Sequence, residues 1–64
     1  MKKYYVDKMW FDKNYQTFIS YEAMIEFDKL EDAIEYKNRM ILSEFESCII
    51  LEKDQYDNYD LVDY

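Results

Sequence analysis

Neither glycine nor proline occurs anywhere in the 64 residues. Every chain reversal must be made by a residue with a side chain, and Asp and Asn tolerate left-handed backbone best. The same absence excludes a glycine-rich phosphate loop, a flexible Gly/Ser linker and a polyproline segment. The length allows one small domain, residues 1–64. A core this small barely offsets chain entropy and needs help. Cys48 is the only cysteine and there is no histidine, so neither a disulfide nor a structural zinc site can supply it. What remains is dense aromatic packing, from eight Tyr, four Phe and one Trp, and oligomerisation.

The pattern along the chain predicts β-β-α-β-β. Residues 3–11 alternate Tyr, Val, Trp and Phe with charge and read as a strand. Asp12-Lys13-Asn14 is a turn, built on Asn14. Residues 16–26 form a second strand, with Ile19, Tyr21, Ala23 and Ile25 on one face and Phe18, Ser20, Glu22 and Met24 on the other. Asp28-Lys29-Leu30-Glu31 reads as a capped helix start, Asp28 accepting from free N–H groups and Glu31 reaching back. The helix runs over about 29–42, with Leu30, Ala33, Ile34, Lys37 and Ile41 at helical spacing and Met40 beside them. Residues 45–53 make a third strand, and 59–63 a short fourth one. The expected fold is therefore α+β, an antiparallel sheet with one helix packed on one face. The covered face should take Ile19, Tyr21, Ile25, Ile49 and Leu51. The other would carry Phe18, Met24, Cys48 and Ile50, too much apolar surface to leave wet, so a second copy should cover it. Trp10 and Phe11 read more readily as core at a strand end than as a binding anchor.

Charge is unevenly distributed. Residues 1–21 sum to +2, residues 22–43 to −3 and residues 44–64 to −6, giving the net −7. A negative chain is repelled by nucleic-acid backbone and anionic lipid, so neither is an expected direct partner. No apolar run approaches the roughly 20 residues that span a bilayer. Met1-Lys2-Lys3 has no apolar signal region behind it, and a lone free thiol fits a reducing cytoplasm.

Catalysis is poorly supported. Without histidine there is no Ser–His or Cys–His pair and no common general base. Asp54, Asp57 and Asp60 recur every three residues, without the spacing or the glycine of a calcium loop. No metal or cofactor is expected. Cys48 sits next to Ile49 and Ile50 and reads as a packing residue. The acids Glu44, Glu46, Glu52, Asp54, Asp57 and Asp60 have three readings: solubilising charge, pairing with the basic first strand, or a partner-binding array. Same-face residues on a strand lie about 6.6–7 Å apart, comparable with successive phosphates along a nucleic-acid strand. Interleaved aromatics could stack where bases would lie.

A further pointer is the segment Phe27-Asp-Lys-Leu-Glu-Asp-Ala-Ile-Glu-Tyr36, in a short, acidic, Tyr-rich chain. It resembles the small accessory proteins of phages that infect low-GC bacteria, among them anti-CRISPR, anti-restriction and uracil-DNA glycosylase inhibitor proteins, some of which mimic DNA. That resemblance implies an inhibitor in the host cytoplasm, binding the basic surface of a nucleic-acid-handling defence protein. The alternative is a small homodimeric structural or regulatory protein whose acids only solubilise it.

Overall fold

The computed structural model describes residues 2–63. One helix and a five-stranded antiparallel sheet follow the order β1 (Lys3–Asp12), β2 (Thr17–Ser20), β3 (Ile25–Phe27), α1 (Leu30–Arg39), β4 (Glu46–Lys53) and β5 (Tyr59–Leu61). The long β1 lies in the middle. It pairs with β4 on one side, and β5 follows β4 as an edge. On its other side both β2 and β3 pair with it, β2 along one half and β3 along the other. The second strand expected from the alternation is thus one strand broken in two. Glu22 adopts φ 60 in the break, and its N–H bonds the Ser20 hydroxyl at 2.9 Å. With no glycine available, the sequence gives no warning of such a bend.

The other left-handed positions are Gln16 (φ 52) and Asp57 (φ 64). Asp57 follows the expectation for Asp, whereas Gln16 does not. Asp12 organises the first turn by accepting from Asn14 N at 2.8 Å and Tyr15 N at 3.3 Å. Asp54 does the same before β5, from Tyr56 N at 2.8 Å and Asn58 N at 3.0 Å. These Asx turns do the work that glycine does elsewhere.

The helix is shorter than its pattern and starts differently. Lys29 is the N-cap, with no side-chain cap bond, and the helix closes at Met40, whose backbone is extended. Asp28, expected as the cap, instead forms an ion pair with Lys3 of β1. A full positive charge close by outcompetes the neutral N–H groups for that carboxylate. Glu31 and Asp32 in the first turn and Lys37 and Arg39 in the last still complement the helix dipole. Ile41 lies beyond the helix and is 90 % exposed.

Register decides the faces, because directly opposed residues share one. Val6 lies opposite Ile50 and Lys8 opposite Cys48, while Tyr5 lies opposite Leu51 and Asp7 opposite Ile49. Val6, Cys48 and Ile50 form the buried cluster with Ala33 of α1, flanked by half-buried Tyr4, Phe27, Leu30, Ile34, Met40 and Val62. This reverses the expected assignment for β4. Cys48 and Ile50, expected on an open self-association face, are 6 % and 0 % exposed within that cluster. Ile49 and Leu51 point to the opposite face. Ile19 and Ile25 keep the expected side, since they register with Trp10 and Val6.

Four residues are a thin core. The Cα radius of gyration is 12.2 Å, against about 10.7 Å for a compact 64-residue domain. The molecule is a slab of 38 × 26 × 19 Å.

Candidate functional site

The acids divide into those the fold uses and those it leaves free. Glu46 begins β4 and is the most engaged. Its carboxylate accepts from Ser43 N at 2.9 Å and the Tyr21 hydroxyl at 2.7 Å, and pairs with Lys8 Nζ at 3.1 Å. Only 9 % of that side chain is exposed. The Ser43 backbone N–H, then the Tyr21 hydroxyl, and more weakly Lys8 hold its carboxyl at about 2. Glu46 N in turn donates to Ser43 O at 3.0 Å. Ser43-Glu44-Phe45-Glu46 therefore has the S-x-x-E signature of a capping box, here closing the turn into a strand. That spacing was the available signal for this knot, which sequence reasoning passed over.

Glu52 pairs with Lys2 at 2.8 Å and Asp57 with Lys53 at 3.1 Å. Asp54 is spent on its turn, and the Asn58 and Tyr56 backbone N–H groups lower its pKa. Of the six acids, Glu46, Glu52, Asp54 and Asp57 thus have partners within the fold, as the pairing reading expects for some of them. Glu44 and Asp60 are exposed and make no ion pair or hydrogen bond among the described residues. Four acids outside the expected set share that condition among the described residues, Glu22, Asp63, and Glu31 and Asp32 at the start of α1. Asp60 stands directly opposite Glu52 in the β4–β5 ladder, a like-charge pairing that costs stability in a sheet.

Lys8, Tyr21 and Glu46 line one end of an open groove of about 530 Å³, whose walls are Val6, Ala23, Ile25, Tyr36 and Met40. Lys8 Nζ also lies 5.4 Å from the Tyr21 ring centroid. The charges at this end satisfy each other, so the groove offers a ligand an apolar wall and no unpaired charge. No group of three or more His, Cys, Asp or Glu among the described residues is placed to hold a metal. Burial pushes the Cys48 thiol up, above the ordinary range of a free thiol.

The face away from α1 is different in kind. Phe11 and Phe18 meet edge to face at 5.4 Å, beside exposed Phe45. At the far end Tyr5 and Tyr59 do the same at 5.7 Å, with Lys53 Nζ within 6.0 Å of both ring centroids. Register places Met9, Ile49, Leu51 and Leu61 between these ends. Of the expected self-association residues, Phe18 lies here, 46 % exposed. Met24 is exposed in the break between β2 and β3, and Cys48 and Ile50 are inside. Phe11, expected as core, is an exposed member of this face, whereas half-buried Trp10 faces the other way.

No helix among the described residues is long and apolar enough to cross a membrane. No protein-family model, no curated protein and no solved structure matches the chain.

Proposed function

We propose that this chain is a non-catalytic binding protein, a phage-type inhibitor whose acidic side meets the basic surface of a nucleic-acid-handling defence protein in the cytoplasm. The reading takes α1 as the cover of one sheet face. One observation carries it: the charge is polarised. By register the face away from α1 holds Lys3 and Lys53 against Asp7 and Glu26, and Lys13 and Glu44 line a hollow with its Phe11 and Phe18. They cancel, so the whole net −7 belongs to the remaining surface. Among the acids there, Glu31, Asp32 and Asp60 are free to meet a partner's Lys or Arg. The resemblance of residues 27–36 to small phage inhibitors supports the partner class.

A pull-down from bacterial lysate, with duplex DNA as competitor, tests this. The expected result is capture of nucleic-acid-binding proteins that DNA or high salt displaces. Replacing Glu31, Asp32 and Asp60 by their amides should abolish capture and leave the circular dichroism unchanged. Capture indifferent to DNA, to salt and to the amide set would remove the acidic side as the binding surface.

A further inference from the structure

We propose that the helix-free face of the sheet is the interface of a two-fold homodimer, two copies stacking face to face. The proposal is independent of the acidic side, since the two surfaces lie on different faces of the fold.

The first support is area. The chain exposes 5072 Å². A compact monomer of 8.0 kDa exposes about 4,450 Å², so roughly 600 Å² is in excess. A standard interface buries about 800 Å² on each partner. The slab's broad side, 38 by 26 Å, is large enough to provide that.

The second support is charge, which selects the occupant. Two bodies of −7 repel each other over almost any pair of surfaces. This face is neutral by register, and its middle is Met9, Ile49, Leu51 and Leu61, between the Phe11–Phe18 and Tyr5–Tyr59 pairs. Apart from Asp7, opposite Ile49, it is the surface on which a second acidic copy can dock without a like-charge penalty. A strongly basic partner would gain nothing there and is drawn to the other side.

The third support concerns the edges, the other route by which sheets associate. β5 has three residues, and the opposite edge is split between β2 and β3 by the left-handed Glu22. Short and interrupted edges resist strand addition. Stacked sheets about 10 Å apart, with side chains interdigitating, are the arrangement left, and a two-fold axis lets one patch serve both copies.

Sedimentation equilibrium of the full chain over about 1–300 µM tests the proposal. The expected mass is twice 8.0 kDa at the upper concentrations. Leu61 is 66 % exposed and Phe18 46 %, so Leu61→Lys and Phe18→Lys should keep the native circular dichroism. Each should weaken the dimer by at least about thirtyfold, the loss of one interface anchor. Tyr36→Lys on α1 should leave it intact. Raising salt from about 50 to 500 mM should hold or tighten the dimer by screening the outward charges, the opposite of its effect on a basic partner. A mass that stays at one chain throughout, or a dimer untouched by both lysine variants, overturns the proposal. The amide set at Glu31, Asp32 and Asp60 should not weaken the dimer, so either reading can fail alone.

Discussion

The two faces of this sheet use the same strands and the same kinds of residue, yet only one is finished. Toward α1, Val6, Cys48 and Ile50 close on Ala33, leaving none of the four more than 6 % exposed. One residue along in each strand, Tyr5, Ile49 and Leu51 are only half-buried. A pleated strand sends neighbours to opposite sides, so one long β1–β4 ladder builds a core and a bare aromatic surface at once. Ten helical residues can cover only part of one side. The lesson is that apolar content alone does not predict burial here; the single available cover decides.

The largest test of that contrast uses two adjacent residues. Ile50→Ala should cost about 2–5 kcal/mol, because it opens a cavity in a packed site. Leu51→Ala should cost the isolated chain less than about half as much, since its surroundings already include solvent. Urea unfolding followed by Trp10 fluorescence at low concentration measures both. Equal losses would mean that Leu51 is as enclosed as Ile50 and that the two faces are not distinct. At high concentration the Leu51 variant should lose more, because the dimer interface then adds to the cost.

A chemical contrast is next in size. Cys48 lies in the buried cluster, where burial raises its thiol pKa and limits access. Alkylation of native protein should be at least about a hundredfold slower than of the unfolded chain, proceeding through opening of the core. With Cys48→Ala in place, an Ile49→Cys thiol on the bare face should react readily in dilute solution. It should slow as the protein is concentrated. A fast Cys48 would place it on the surface after all.

How far these faces were legible in advance depends on the strand. In β1, Val6 has Tyr5 and Asp7 as neighbours, and alternation narrows the choice. In β4 both sets are apolar, Cys48 and Ile50 against Ile49 and Leu51, so periodicity gives two faces and no means to rank them. Only the Val6–Ile50 register does that, and it arises from pairing across more than forty residues. The helix existed in the pattern, but its cap did not, because Lys3 reaches Asp28 only once β1 and the β3–α1 connection are assembled. The acids misled for a related reason. Glu44, Glu46, Glu52 and Asp54 look equivalent along the chain. Folding gives Glu46 three partners, Glu52 one cation and Asp54 a turn, leaving Glu44 free.

Glu46 therefore yields a pH prediction. The native fold holds its pKa at about 2, below the ordinary 4.5. A depressed carboxyl favours the folded state where it is ionised, so this contribution is complete above about 4.5 and is lost as pH falls toward 2. Asp28, through Lys3, and Asp54, through its backbone donors, act in the same direction. Glu46→Gln should lower the urea midpoint at pH 7 and leave it little changed at pH 2. The acid side of the stability profile should flatten accordingly. An unaltered acid profile would show that the Ser43–Tyr21–Lys8 knot does not stabilise the ionised form.

The smallest effect concerns the carboxylate buried on the opposite face. Asp7 is 6 % exposed and accepts from the Ser20 hydroxyl at 2.7 Å, with no cation paired to it among the described residues. Glu46 has a backbone donor, a phenol and a lysine. Burial of a charge is costly unless it is well partnered, so these two carboxylates should respond oppositely to loss of charge. Asp7→Asn keeps an oxygen for the Ser20 hydroxyl and removes the charge. It should leave monomer stability within about 0.5 kcal/mol or raise it. In the stacked dimer Asp7 lies on the joined face, where its own copy adds a second unpaired charge. The variant should therefore dimerise more tightly than the wild type, most visibly at low salt. Sedimentation of both proteins at about 50 mM and 500 mM salt reads this directly. A weaker dimer in the amide form would mean that Asp7 meets a donor across the interface, and that the two copies stack in a register other than one that brings like faces together without charge pairing.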